Sequence, residues 1–492
     1  MTHPELDLHL FIAGERCGAN GRDAAPVIDP SRGVTVGRLP LASAKDLEKA
    51  IDAATQAFAV WRKTSAVERG AILRKGAQLM RERQEHATRV MTLEQGKPLA
   101  EARMELAVTA DILEWAATEG LRTYGRIIPP RSPGSRQMVV KEPIGVVAAF
   151  SPWNFPAATP MRKIAGSLAA GCTCILKPSE ETPATALAMA QALHDAGLPA
   201  GALNIVFGVP KQVSERLIRD AAIRKVSFTG STAVGKQILA LAAEGVKRAT
   251  MELGGHAPFL VFNDVDTEAV AKLAAASKYR NAGQICTAPN RFLVQQDVHD
   301  AFVDAFCAFA NQLRVGPGDD SATTMGPVIA ERRLEAMERF VQDAKDTGGV
   351  VAAGGARIGN QGYFFQPTVL THLSPDALCL REESFGPLAA IVPFKTEEEA
   401  IAIANSLPFG LASYAYTSDA NRAVRLADGI EAGMVGVNSL FITLPETPFG
   451  GFKESGYGQE GGVEGLEGYL QTKFVAQGRS LLPRSPQSGT PQ

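Results

Sequence analysis

At 492 residues the chain exceeds the ~250–300 residues at which a single hydrophobic core stops growing, so two or more domains are expected. Its 50 Lys and Arg nearly cancel 52 Asp and Glu, and a formal charge of -2 supplies no field to hold it on nucleic acid or anionic lipid. Six scattered cysteines, an N-terminus without a basic, then apolar leader, and the lack of any run of about 18 apolar residues point to a cytoplasmic protein with free thiols.

In chain order, SAKDLEKAIDAATQAFAVW (43–61) aligns Leu47, Ile51, Ala54, Phe58 and Trp61 on one helical stripe, with Ser43 and Asp46 spaced as a capping box. RTYGRIIPPRSPGSRQMVVKEP (122–143) is rich in Pro, Gly and Arg and predicts a projecting arm. From about residue 144 the short apolar runs IGVVAAF, TCILK, LNIVF, KVSF and PFLVF alternate with Ala-rich helical stretches, the pattern of a buried, doubly wound parallel sheet. A second α/β alternation begins near residue 258 and includes the helical ERRLEAMERFVQDAK (331–345). The tail after Gly478 has too little apolar content to pack and is expected to be disordered.

Five stretches could carry chemistry. FSPWNFP (150–156) closes a strand with prolines around Trp153 and Asn154, which fixes the Asn154 amide as an oxyanion donor or simply makes an Asx turn. CILKPSEETP (174–183) sets Lys177 and Glu180 at a strand end, where a carboxylate can accept ribose hydroxyls; it also reads as a helix start with Ser179 as cap. SFTGSTAVGKQILA (227–240) resembles a P-loop, but Gln237 stands where the Mg²⁺-binding hydroxyl belongs. Gly230 and Ser231 then form a strand-to-helix turn that suits a dinucleotide pyrophosphate. MELGGHAP (251–258) sets Glu252 before a Gly pair, and NAGQICTAPNR (281–291) sets Cys286 among small residues. Alone, such a carboxylate is usually a solvated charge and such a thiol more often a buried small hydrophobe. No H-E-x-x-H, second Cys cluster or G-x-S-x-G is present, so neither a metal site nor a serine hydrolase is expected.

Taken in order, PWNFP, KPSEETP, FTGSTAVG, MELGG, GQIC, EESFGP (382–387) and PFGGFKESGYG (448–458) resemble the NAD(P)-dependent aldehyde dehydrogenase superfamily, and the likeness runs from LFIAGE (10–15) to about Phe474. The resemblance implies an α/β, aldehyde dehydrogenase-like fold. Its parts would be a Rossmann-like NAD-binding domain (1–123 and 143–254), a second α/β catalytic domain (255–457), a small β oligomerisation arm (124–142 and 458–478) and a disordered tail (479–492). It implies Cys286 as nucleophile, Asn154 as oxyanion donor and Glu252 as the base that activates water against a thioester. It assigns Lys177 and Glu180 to the adenosine ribose, Gly230 and Ser231 to the pyrophosphate, Glu383 to the nicotinamide ribose, and Phe385, Trp153 and Leu253 to the cofactor channel. Glu180 would repel a 2′-phosphate, so NAD is expected over NADP.

Arg162, Arg280 and Thr443 match the positions with which succinate-semialdehyde dehydrogenases hold a distal carboxylate. Succinate semialdehyde is therefore the expected substrate, with glutarate or α-ketoglutarate semialdehyde as alternatives, and a homodimer or homotetramer the expected assembly. Some members carry a second Cys two residues after the nucleophile; Ala288 occupies that place, so no disulfide switch there is expected. Two rivals remain: a P-loop phosphotransferase, opposed by Gln237, and a non-catalytic nucleotide-binding protein, opposed by the joint presence of Cys286, Glu252 and Asn154.

Overall fold

The computed structural model describes residues 6–131 and 133–478, so the tail expected to be disordered lies outside the described residues. Five parallel strands form the centre of an eight-stranded sheet, in the spatial order Leu203–Ile205, Thr173–Lys177, Val146–Phe150, Ile223–Thr229, Arg248–Glu252. Every residue of Val146–Phe150 and Thr173–Lys177 is buried, which is why these strands read as continuous apolar runs rather than alternations. The chain moves outward from Val146–Phe150 to one edge, then returns to start Ile223–Thr229 on its other side. The switch in winding direction opens a crevice beyond the carboxyl ends of these two strands, where doubly wound sheets bind ligands.

Short antiparallel strands finish the edges. Leu10–Ile12 pairs with Leu203–Ile205, and Gly456–Tyr457 pairs with Arg248–Glu252. Gly456 has φ +129, and a Cβ there would sit 1.9 Å from the Met251 carbonyl, so this close approach beside Glu252 requires glycine. The expected helix is Ala44–Trp61, its capping box made by Ser43 and Asp46. Fully buried Trp61 at its end donates from Nε1 to the Leu168 carbonyl at 3.1 Å, docking this helix on Ala158–Ala170.

A second, seven-stranded sheet has Arg291–Gln295 at its centre, with Pro258–Val261 between it and Ala412–Tyr416, all parallel. The PFLVF run thus belongs to this second sheet. Strand Leu470–Gln477 pairs antiparallel with Arg136–Pro143, which also pairs with Arg126–Ile128, in a third, three-stranded sheet. Among the described residues no helix is long and apolar enough to cross a membrane.

One local reading is corrected. Ser179 is not a helix cap, because the helix after Lys177 starts at Pro183 with Thr182 preceding it. Its first free N–H groups, of Ala184 and Thr185, donate instead to the buried Glu94 carboxylate at 2.8 Å each.

Candidate active site

A cleft of about 1010 Å³ opens beyond the carboxyl ends of the first sheet and faces the second. Thirteen of the fourteen site residues singled out in the sequence line it: Trp153 and Asn154, Lys177 and Glu180, Gly230 and Ser231, Leu253, Cys286, Glu383 and Phe385, and Arg162, Arg280 and Thr443. Glu252 is not among the lining residues and is buried.

Cys286 follows a turn of unusual backbone. Asn281 and Ala282 hold φ +48 and +51, and Gly283 has φ +73. Two non-glycine residues in this region cost on the order of 1–3 kcal/mol each and persist only where contacts over-determine them. Asn281 supplies those contacts. Its backbone N–H donates to Glu101 at 2.8 Å, its Nδ2 to the Asn154 carbonyl at 3.0 Å, and its Oδ1 accepts from Gln95 at 2.9 Å. At Gly283 a Cβ would lie 2.0 Å from the Gly386 carbonyl, which ties the Cys286 turn to the segment carrying Glu383 and Phe385.

Asn154 is held by the same network. Its Nδ2 donates to the Gln284 carbonyl at 3.0 Å, two residues before Cys286, and this leaves its second amide hydrogen for a ligand. Its carbonyl accepts from Lys97 at 2.9 Å, and Lys97 is also paired with Glu105 at 2.5 Å, both side chains 1% exposed. Glu105 in turn accepts the N–H groups of Ala157 and Ala158. A rigid amide beside the thiol is the arrangement an oxyanion requires.

Burial, followed by the charges of Glu383 and Glu252, pushes the Cys286 thiol up to about 12. Burial, with Glu460 adding to it, raises Glu252 well above the carboxylate range, and among the described residues neither of its oxygens has a partner. Such a carboxyl can exchange a proton with a thiol or with water. Glu460, itself lining the cleft, is paired with fully buried Lys163, which also donates to Thr229 Oγ1 at 2.7 Å. Thr229 lies opposite Glu252 in the parallel register.

The other end of the cleft suits a dinucleotide. The helix Thr232–Glu244 begins directly after Ser231, whose side chain accepts from Val234 N at 3.4 Å, so a helix start opens onto the cleft at Ser231, while the Gly230 N–H donates to the Glu252 carbonyl at 3.0 Å. A Cβ at Gly230 would meet the Phe228 ring at 2.5 Å, and one at Gly235 would meet Leu253 at 2.4 Å. Glu180 is paired with Lys177 at 2.7 Å and accepts the Gly208 N–H at 3.1 Å. Half-buried Glu383 has a buried oxygen without a partner among the described residues, and desolvation pushes it up to about 8. Phe385 packs edge-on against Trp153, with ring centroids 5.5 Å apart. Two carboxylates for sugar hydroxyls, a helix start for phosphate and an aromatic wall form a donor set that fits NAD or NADP.

At the substrate end, Arg162 lies over the Phe449 ring, 4.9 Å from its centroid, and its buried Nη1 has no partner among the described residues. Its contact with Thr443 runs to the backbone carbonyl, at 3.5 Å, rather than to the hydroxyl. Arg280 is exposed and lines the same cleft.

The sequence reading missed Lys97, Glu105, Asn281, Lys163 and Glu460. Only EQGKP (94–98), a Gly and a Pro bracketing a lysine, carried a local hint.

The chain resembles known proteins over nearly its whole length. Residues 18–475 match the sequence model of the aldehyde dehydrogenase family. A glutarate-semialdehyde dehydrogenase of Pseudomonas putida is 44% identical over 94% of this chain and 96% of its own length. The succinate-semialdehyde dehydrogenase [NADP(+)] GabD of Escherichia coli is 44% identical over 96% and 99%. A crystal structure of succinate-semialdehyde dehydrogenase from Burkholderia pseudomallei superposes with a TM-score of 0.94, at 44% identity over 96% of this chain and 98% of that one.

Proposed function

The chain belongs to the aldehyde dehydrogenase family, and from that premise we propose that it oxidises succinate semialdehyde to succinate through a thioester on Cys286. One observation carries the substrate: Arg162 and Arg280 line the same cleft as Cys286, so an aldehyde at the thiol can place a distal carboxylate against guanidinium groups. Glutarate semialdehyde, one methylene longer, differs by only about 1–3 kcal/mol in a site of this kind, and α-ketoglutarate semialdehyde shares the same distal carboxylate.

In this reading Glu252 takes the Cys286 proton and the thiolate attacks the aldehyde carbon. The Asn154 amide and the Cys286 backbone N–H hold the resulting oxyanion. The cofactor is NAD or NADP, and when bound it supplies the hydride acceptor that leaves Cys286 acylated. Glu252 then passes the thiol's proton to solvent and deprotonates a water, which attacks the thioester carbonyl; the Cys286 thiolate leaves and the carboxylic acid is released as its anion. Lys177, Glu180, Gly230, Ser231, Leu253, Glu383, Phe385 and Trp153 hold the dinucleotide, and Glu180 favours NAD over NADP.

We further read the first sheet as the cofactor domain, the second as the catalytic domain and the three-stranded sheet as an arm that pairs subunits. Exposed Tyr124, Ile127 and Phe474 on or beside that sheet support a homodimer or homotetramer, which light scattering after size exclusion would read directly.

The test of the substrate is NADH formation with succinate semialdehyde against butyraldehyde, in the wild type and in Arg162→Ala/Arg280→Ala. A wild-type preference for the acid of roughly 2–4 kcal/mol in kcat/KM, lost in the double variant, is expected. Equal rates with both aldehydes would remove the semialdehyde assignment.

A further inference from the structure

The helix Glu331–Asp346 opens with Arg332 and Arg333 in its first turn, where the macrodipole favours anions. A local rule broken at the lip of the cleft calls for a compensating contact. Arg332 finds one in the Glu181 carboxylate across the cleft. Among the described residues Arg333 has no carboxylate within ion-pair distance and its buried Nε has no acceptor; its Nη2 donates to the Ser384 and Phe385 carbonyls, the latter at 3.2 Å.

The segment it grips is strained. Phe385 has φ +44, and at Gly386 a Cβ would sit 2.3 Å from Met337 Sδ, on the helix that carries Arg333. From the other side Ser384 Oγ lies 3.3 Å from Asn290 Oδ1, which also accepts from fully buried Lys278 at 2.7 Å. The Arg333 charge also acts on neighbouring Glu383, offsetting part of the upward push of burial.

We propose that Arg333 is a positioning residue for the dinucleotide: by clamping the Ser384 and Phe385 carbonyls it fixes Glu383 and the Phe385 ring in the arrangement that receives the ribose and nicotinamide. This rests on the dinucleotide reading of the cleft given above.

The test uses the full-length protein with Arg333→Gln and Arg333→Lys. NAD and NADP dissociation constants are read by tryptophan fluorescence, alongside the KM and kcat for dinucleotide. Two controls without dinucleotide are the thermal midpoint and the burst amplitude with p-nitrophenyl acetate, which acylates Cys286 directly. Loss of charge-assisted hydrogen bonds should weaken dinucleotide binding in Arg333→Gln by about tenfold or more. KM should rise with it while the burst amplitude stays, and Arg333→Lys should recover part of the loss. Dissociation constants within about twofold of wild type would overturn the proposal, as would a burst amplitude that falls in step with binding. Wild-type protein that binds neither dinucleotide would sink the dinucleotide reading itself.

Discussion

The Asn154 carbonyl receives the Lys97 ammonium at 2.9 Å, inside a protein region where Lys97 and Glu105 are both almost wholly buried. Asn281 Nδ2 reaches the same oxygen, so the loop before the nucleophile and the loop carrying the oxyanion donor meet at one atom. The relative placement of Asn154 and Cys286 therefore depends on a cation that itself performs no chemistry.

Lys97→Ala leaves Glu105 buried and unpaired, which should cost about 3–5 kcal/mol of stability. The freed Asn154 loop should also lower kcat by on the order of 10²-fold, the penalty of a misplaced catalytic group. Urea unfolding and steady-state kinetics check both, and an active variant of wild-type stability would refute the role.

Glu252→Gln separates the two halves of the reaction. It should slow thioester hydrolysis by about 10²–10⁴-fold, so that acyl-enzyme accumulates. Quenched-flow mass spectrometry should find the acyl mass on the Cys286 peptide, whereas Cys286→Ser should carry none. Full turnover in Glu252→Gln would assign the base elsewhere.

The thiol environment predicts a pH dependence. With Cys286 pushed up to about 12, the thiolate is the minor form at neutrality, and its fraction grows as pH rises. Alkylation of Cys286 by iodoacetamide, followed on its peptide, should increase about tenfold per pH unit between pH 6 and 9. A plateau below about pH 8 would mean that the folded site stabilises the thiolate.

The two arginines should not contribute equally. Arg162 packs on Phe449 and has a buried Nη1 without a partner among the described residues, while Arg280 is exposed. Arg162→Ala should cost about 2–5 kcal/mol in kcat/KM for succinate semialdehyde, and Arg280→Ala about 1 kcal/mol or less. The reverse order would place the carboxylate nearer the mouth of the cleft.

Glu180, paired with Lys177 and bonded to the Gly208 N–H, presents a fixed negative charge at the strand end. NAD should exceed NADP in kcat/KM by about tenfold or more, and Glu180→Gln should narrow the gap. A wild-type preference for NADP would show that Lys177 outweighs Glu180 there.

Much of the doubly wound sheet was legible because burial on both faces writes itself as unbroken apolar runs, as in Val146–Phe150 and Thr173–Lys177. The strand-to-helix turn at Gly230 and Ser231 was legible for the same local reason, since glycine and a capping serine leave a signature within a few residues. The Ser179 cap failed because the competing residue, Glu94, reaches Ala184 from 90 positions away.

By itself the sequence determined which chemical groups stand at strand ends and tight turns: a thiol, an amide, carboxylates, and prolines and glycines that restrict or free the backbone. These are short-range facts. Tertiary structure decided how those groups are held. Lys97 meets Asn154 across 57 positions, Asn281 meets Asn154 across 127, and Lys163 meets Glu460 across 297. A buried charge is stable only when its partner arrives, and neither periodicity nor turn chemistry encodes a partner that distant.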